Sequence, residues 1–506
     1  MREGLLCLVT GATGYVGGRL VPQLIAAGHR VRVLARHPER LRDLPWAGEV
    51  EIVAGDATDP DSVRAALDGV DVAYYLLHSL QEGPELETAE RAMALTFGAA
   101  ARDEGVGRIV YLGGLAPDIP LAKMSRHMRS RVEVGQILRA SGVPTAELRA
   151  AVIIGSGSAS FEMLRYLTER LPAMITPRWV RNRTQPIAIR DVLRYLVACA
   201  QLPPEVNRVF EIGGPQVLTF DRMMQRYAAV AGLPKRLILP VNVLSPGLSS
   251  HWVGLITPVP RRLARPLVES LRHDSYATEH DIAEWIPDPP EGLLPFDRAV
   301  ELALQRVADA DVSTRWSSAS YPGAPSDPLP TDPDWSGGTL YTDVREVGTD
   351  AAPESVWRAV ERIGGDTGWY SARLLWEIRG LMDRAVGGVG LRRGRRDPQH
   401  LMVGESVDFW RVEEIDRPRL LRLRAEMKLP GLAWLEFEVR PRGPRGSLLR
   451  QRALFRPRGL FGHLYWWSVA PFHSVVFPPM ARHVVESAER EERTGATNDT
   501  AVRAAA

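Results

Sequence analysis

Apolar positions in the first third of the chain fall into two alternating periods. Short β-like runs occur at Leu5 to Thr10, Arg30 to Ala35, Val50 to Ala54, Asp71 to Leu77, Arg108 to Leu112 and Thr145 to Ile154. Between them, Val16 to Ala27, Ser62 to Leu67, Leu86 to Glu104 and Ser125 to Ala140 carry apolar side chains at helical spacing, the first ending at Gly28. This alternation predicts an α/β fold of Rossmann type, a doubly wound parallel sheet with helices on both faces. From Gly155 to about Ala310 the pattern is more broken and richer in proline, as expected of a small substrate lobe around the end of the same sheet. The first domain is accordingly placed at residues 1–316.

Residues 317–338 hold Ser317, Ser318, Pro322, Gly323, Pro325, Pro328, Pro330 and Pro333, the composition of an interdomain linker. A second domain is expected at 339–490. It opens on a strand, Leu340 to Val347, then a helix start at Asp350 to Val360 with an early proline at Pro353. Strand patterns follow at Ser406 to Ile415, Arg419 to Met427, Ala433 to Arg440 and Ser447 to Phe455, and a helical pattern closes the domain from about Phe472 to Glu489. That order predicts an α+β helix-grip fold, in which a curved sheet wraps the last helix and leaves an apolar cavity. Trp410, Trp434, Trp466 and Trp467 would line or cover it. Residues 491–506 are polar and alanine-rich and read as a disordered tail.

Composition narrows the function classes. A chain of 506 residues exceeds one ordinary core. Lys plus Arg number 63 against 61 for Asp plus Glu, so global charge gives no argument for nucleic acid. Two cysteines, Cys7 and Cys199, make neither a disulfide framework nor a metal cluster, which fits a reducing cytoplasm. The run at Leu5 to Val9 leads into a glycine motif rather than a cleavage site, so no signal peptide is expected. No apolar stretch reaches the ~18 residues of a membrane span; Leu460 to Met480 is interrupted by His463, His473 and prolines.

The first strand runs into Gly11-Ala12-Thr13-Gly14-Tyr15-Val16-Gly17 and then a helix. Gly11 permits the tight turn, Gly14 lets the backbone approach a pyrophosphate, and Gly17 lets the helix pack on the strand. The helix N-terminal amides would face the phosphates. Cofactor contacts are therefore expected at Gly11, Thr13, Gly14, Tyr15, Val16 and Gly17. This Gly-x-x-Gly-x-x-Gly spacing resembles the extended and atypical short-chain dehydrogenase/reductases, over roughly residues 1 to 310. The resemblance implies an adenine contact at Gly55-Asp56-Ala57, with Asp56 accepting from the amino group, and a segment joining the two lobes at Gln185 to Val192. At the end of the second strand, relatives that prefer NAD carry an acidic residue; here Ala35 stands there and Arg36 follows. A guanidinium pairs with a 2′-phosphate that a carboxylate would repel, so NADP(H) is expected over NAD(H).

The same resemblance implies a Tyr-x-x-x-Lys pair, which is missing. The strand ending in Gly113-Gly114 lacks the family's hydroxyl residues, and the Tyr-x-x-x-Lys position aligns with His127-x-x-x-Arg131. A spacing of four keeps both side chains on one helix face. Either His127 acts as general acid/base, with Arg131 a fixed cation for ribose or phosphate, or the pocket binds cofactor and catalyses nothing. The first reading gives an oxidoreductase or epimerase. The second gives an NADPH-sensing or assembly protein, like the nitrogen-repression sensor and the accessory nucleotide-binding subunit of respiratory complex I. His78, after the fourth strand, and Gly113 are further candidates beside the nicotinamide. Ser156 and Ser158, at the carboxyl end of a strand, would touch substrate or cap a helix.

The stretches Gly387 to Arg396, Asp408 to Val412 and Glu426 to Leu435 resemble a bacterial C-terminal domain of unknown function found fused to reductase-like modules. The order of elements over 340 to 490 is that of lipid-transfer and polyketide-cyclase-like domains. An apolar small molecule is the expected ligand there. The Arg392 to Arg396 cluster reads as a solvated loop or as a site for a phosphate or an anionic headgroup, with peripheral membrane contact in the latter case, and lacks the extended basic surface or stacking platform of a nucleic-acid binder. Substrate and oligomeric state are left open.

Overall fold

A computed structural model describes residues 4–42, 44–77, 85–241, 256–257, 259, 261–311, 338–364, 369, 400–443 and 446–505. The chain divides into two compact units, Met1–Gly338 and Thr339–Ala506. Of the 317–338 linker, only Gly338 lies among the described residues. His78 and the Arg392 to Arg396 cluster lie outside them.

The first unit begins with β1 (Leu6–Thr10), α1 (Tyr15–Ala26), β2 (Arg30–Ala35), β3 (Glu51–Ala54), α2 (Pro60–Leu67) and β4 (Val72–Tyr75). It continues with α3 (Glu85–Asp103), β5 (Arg108–Gly114), α4 (Arg126–Arg139), β6 (Thr145–Ala150) and α5 (Ala159–Arg170). Six of these strands and Arg208–Ile212 form one sheet in the order β3-β2-β1-β4-β5-β6 and then Arg208–Ile212. Every pairing in it is parallel. Both faces are covered, which is why all five residues of β1 are buried. Cys7, Val9, Val31 and Val33 pack on one face with Leu20 and Leu24 of α1. Leu6, Leu8 and Leu34 pack on the other with Val63, Ala66 and Phe97 from α2 and α3. Local chemistry starts α2 two residues before the expected Ser62: Asp59 accepts from the amides of Asp61 and Ser62, with Pro60 in the first turn.

The order of strands reverses at β1, which has β2 on one side and β4 on the other. In such sheets the crevice for ligands lies at the carboxyl ends of the strands flanking that reversal. A third apolar cluster, built from α5 and the helices Phe220–Val230 and Phe296–Asp311, forms the small lobe beyond β6.

The second unit is an antiparallel sheet with helices. Six strands lie in the order Tyr341–Thr349, Gly446–Pro457, Gly431–Arg442, Leu420–Ala425, Trp410–Asp416, Ser406–Val407. Helix Pro353–Glu361 and the long helix Gly459–Ala505 join its core through Val356, Val360, Phe477, Met480 and Val484. The long helix is longer at both ends than the sequence pattern suggests. It takes in Pro471, Pro478 and Pro479, because its buried side chains hold it where three backbone bonds are missing. Beyond Glu489 it stays tied to the first helix: Glu492 accepts from the Ala352 amide at 2.8 Å and Glu491 pairs with Arg358 at 3.0 Å.

Candidate dinucleotide site and ligand cavity

The glycine turn is fixed from beneath by Thr10, the polar residue at the end of β1. Its hydroxyl donates to the Tyr74 carbonyl at 2.9 Å and accepts from the Leu76 amide at 3.1 Å, locking β1 to the end of β4. Gly11 then adopts φ +73°, and a Cβ there would lie 2.7 Å from the Leu76 carbonyl oxygen. The Gly14 amide closes the turn on the Gly11 carbonyl at 2.9 Å. Gly14 is the N-cap of α1 and is exposed; no side chain caps the helix, and its first turn holds no acidic residue. Thr13, Tyr15 and Val16 are half-buried around this opening. With no side-chain cap and no acidic residue in its first turn, the N-terminus of α1 suits an anion. This cradle, which a Cβ would fill, fits a pyrophosphate.

At the far side of the crevice, Ala35 is buried at the end of β2 and Arg36 is exposed. Asp56 and Ala57 follow β3. The Thr58 amide and hydroxyl each donate to Asp56 at 2.8 Å. The amide bond, with the hydroxyl and the nearby Arg36 charge, holds the Asp56 carboxyl below the usual carboxylate range despite some burial. Arg36 and Asp56 therefore lie within electrostatic reach of each other.

On α4, Ser125 accepts from the Met128 amide and sets the helix start, leaving His127 half-buried in the first turn. One turn on, Arg131 donates to the Leu112 carbonyl at the end of β5 and to the Leu77 carbonyl at 3.5 Å, and stacks 4.9 Å over the Tyr111 ring. Gly113 lies beside this ring, where a Cβ would come 3.2 Å from Tyr111 Cε1. The Tyr111 hydroxyl donates to the Arg131 carbonyl at 3.0 Å, and burial pushes its phenol well above the usual range. The glycine turn and Arg131 thus meet consecutive carbonyls, Leu76 and Leu77.

Ser156 and Ser158 are both buried. The Ser158 hydroxyl donates to the Ile153 carbonyl at 2.9 Å, closing the turn before α5. The Ser156 carbonyl accepts from Arg19 at 3.4 Å. Arg19 was missed by sequence reasoning. It is 2% exposed, stacks 4.3 Å over Tyr15 and bonds its carbonyl, so it joins the phosphate turn to the segment after β6. Its only trace in the sequence is the spacing of four from Tyr15, which places both side chains on one face of α1.

Cys7 and Cys199 are buried, and burial pushes each thiol up to about 12. Among the described residues no cluster of His, Cys, Asp or Glu could hold a metal.

The second unit has a half-open cavity of about 460 Å³ between sheet and long helix. Trp410, Trp434 and Trp466 line it, with Met427, Phe455 and Phe472. Ala433 and Ala453 supply the room, Ala433 pairing with Phe455 across two strands. Trp466 stacks on Phe455 at 5.9 Å and on Tyr341 at 4.9 Å. Trp467, expected beside it, is 67% exposed.

Residues 11–153 match the NAD(P)H-binding family, and residues 335–480 match a family described only as a protein of unknown function, DUF2867. The chain is 31% identical over 238 residues to (4-alkanoyl-5-oxo-2,5-dihydrofuran-3-yl)methyl phosphate reductase of Streptomyces griseus, spanning 46% of this chain and 76% of that protein. The chain belongs to the NAD(P)-binding atypical short-chain dehydrogenase/reductases. It is also 22% identical over 277 residues to the mitochondrial NADH dehydrogenase 1 alpha subcomplex subunit 9 of Arabidopsis thaliana, covering 53% of this chain and 68% of that one. Among solved structures, the triphenylmethane reductase of Citrobacter sp. complexed with NADP(H) aligns with a TM-score of 0.47 and 21% identity, over 59% of this chain and 99% of that one.

Proposed function

We propose that the first unit of this reductase-family chain prefers NADP(H) to NAD(H) and acts as an oxidoreductase or epimerase on a small molecule. The observation that carries the reading is the pair of carbonyls at the end of β4. Leu76 lies under Gly11, and Leu77 accepts from Arg131. The phosphate turn and the helix bearing His127 therefore serve one crevice. A bound nicotinamide supplies or takes a hydride. The chain's own part is to orient and to move a proton. Arg131 is a fixed cation for ribose or phosphate, since a guanidinium does not deprotonate. His127, four residues earlier on the same face, exchanges a proton with the substrate near neutral pH. The likeness to a reductase whose name gives a small phosphate ester as substrate supports a reduction as the reaction class.

The second unit, in this reading, is a helix-grip domain whose cavity holds an apolar small molecule; its size and aromatic lining support that.

A non-catalytic NADPH-binding protein is the second reading, and the tyrosines favour it. Tyr75 and Tyr111, beside the crevice, are buried with phenols raised by burial, and the Tyr111 hydroxyl is committed to the Arg131 carbonyl. The deciding experiment is a metabolite screen for NADPH oxidation, repeated with His127→Ala. The enzymatic reading expects turnover that falls by ~10²–10⁴-fold in the variant. Tight NADPH binding with no turnover, or full activity in the variant, sinks the His127 assignment.

A further inference from the structure

The long helix Gly459–Ala505 buries one side in the second unit, through Trp466, Val476, Phe477 and Met480. Its opposite side should then be polar if it faced only water. It is not. Leu460, Phe461, Leu464, Trp467, Phe472 and Val475 are all exposed, Phe461 by 75%. From Gly459 to Ala481 the sequence carries no Asp, Glu, Lys or Arg. The exposed serines on this stretch add little polarity, because Ser468 donates back to the Tyr465 carbonyl and Ser474 to the Pro471 carbonyl. The face from Leu460 to Val475 is about 22 Å long at the rise of an α-helix. Apolar surface gathered in this way marks a site of interaction.

Charge at its ends says what it meets. Arg456 and Arg458 precede the helix, and Arg482 follows the uncharged stretch. Arg440, Arg450 and Arg452, on the preceding strands, are paired with Glu438, Glu346 and Glu436 and belong to the sheet rather than to this face, whose flanking cations are Arg456, Arg458 and Arg482. A second copy docked face to face would set these cations against each other, since a two-fold interface brings the same patch together. A layer of anionic headgroups over hydrocarbon satisfies both features: the arginines meet phosphates, and the aromatic and aliphatic side chains enter the acyl boundary. No described helix is long and apolar enough to cross a membrane, so the helix would lie along the surface. The face is also continuous with the cavity, because Ser468 and Phe472 are exposed and line it too.

We infer that the first four turns of this helix form a docking surface for anionic lipid, set at the mouth of the cavity. The docking stands apart from what fills the cavity. It is tested with the full chain by flotation on phosphatidylcholine vesicles, with and without phosphatidylglycerol at roughly a third of the lipid, enough to give a negative surface potential that attracts basic side chains. The wild-type chain should float with the anionic vesicles at least tenfold better, less so as salt rises, and brominated acyl chains should quench its tryptophan fluorescence. Leu464→Glu with Val475→Glu, both exposed and outside the cavity lining, should cut flotation at least tenfold while NADPH affinity is unchanged. Arg458→Glu with Arg482→Glu should erase the preference for anionic vesicles. Absence of flotation with either vesicle overturns the inference. So does an unchanged flotation of the Leu464/Val475 double variant. A dimer by light scattering that this double variant breaks, in a chain that ignores vesicles, would make the face a self-interface instead. Should the double variant fail to fold, quenching and salt dependence of the wild-type chain decide alone.

Discussion

A Cβ on Gly17 would lie 2.3 Å from the carbonyl oxygen of Gly11 and 2.8 Å from its carbonyl carbon. Those are backbone atoms of the phosphate turn, so nothing flexible can move aside. Gly14 is different: its Cβ would meet the Gly11 oxygen at 3.1 Å and otherwise open space. Gly17 is thus required by packing of α1 on β1, and Gly14 by the ligand the turn admits. Gly17→Ala should lower the stability of the ligand-free chain by roughly 1–3 kcal/mol, the usual cost of overpacking. Gly14→Ala should leave that stability nearly unchanged yet weaken dinucleotide binding at least tenfold. Thermal unfolding paired with NADPH titration separates the two. Equal loss of stability in both variants would refute this division of roles.

Arg36 follows the buried Ala35 and acts on the carboxyl of Asp56 across the top of β2 and β3. Removing its charge should therefore matter to a 2′-phosphate and little to the fold. Arg36→Asp should reverse or flatten the preference for NADPH over NADH, since a charge-assisted contact is worth about 1.5–3 kcal/mol. Calorimetric titration of both cofactors into both proteins reads this directly. Wild-type protein that binds them equally, or prefers NADH, removes the case for Arg36.

Much of this was legible in the sequence because it is local. The strand and helix periods of the first 154 residues locate β1 to β5 within a residue or two, and the glycine turn sits where strand gives way to helix; the expected strand Thr145 to Ile154 instead splits, β6 ending at Ala150 and Ile153–Ile154 pairing with Ile187–Ala188. The antiparallel strands of the second unit were legible for the same reason. What escaped depends on distant packing. Arg19 reads as an ordinary helix cation until the chain returns at Ser156, 137 residues on. The start of the long helix at Gly459 was hidden by Pro471, Pro478 and Pro479, which locally argue against helix. The exposed face of that helix was invisible too, since apolar residues on both sides look in sequence like one buried segment. The cavity depends on which side chains Ala433 and Ala453 oppose, and only the folded sheet brings those together.

Cys7 and Cys199 are fully buried, and burial pushes their thiols up to about 12, with Asp71 adding to the effect at Cys7. At pH 8 a thiol with that pKa is ionised in about one molecule in 10⁴, and the thiolate is the reactive form. Both cysteines should resist a disulfide reagent such as dithionitrobenzoate in the native chain and react fully in guanidinium. Rapid modification of either thiol without denaturant would contradict their placement in the core. No effect of oxidation on cofactor binding is expected at either site.

Glu361, near the end of helix Pro353–Glu361, should make the second unit sensitive to acid. Its side chain is 5% exposed, and it accepts from the Trp357 indole at 2.9 Å, the Leu401 amide at 3.0 Å and the guanidinium of Arg417. Burial alone would raise its pKa, but the Arg417 hydrogen bonds and charge, with the amide and indole, hold it below the ordinary 4.5. The folded carboxyl therefore releases its proton more readily than the unfolded one. The stabilisation is complete above about pH 4.5, where both states are ionised, and is lost as pH falls through the lower folded value. Glu361→Gln keeps the shape and removes the charge. At pH 7 it should weaken local stability by about 1.5–3 kcal/mol, the range for hydrogen bonds to a charged group. As pH falls through the lowered folded value the variant and the wild-type chain should converge, because the wild-type carboxyl then becomes protonated as well. Hydrogen exchange at the Leu401 amide and along Pro353–Glu361, corrected for intrinsic pH dependence, reads the local opening. A loss of protection in the variant that stays the same as pH is lowered step by step from 7 until the wild-type chain unfolds would show that Glu361 acts there by shape alone.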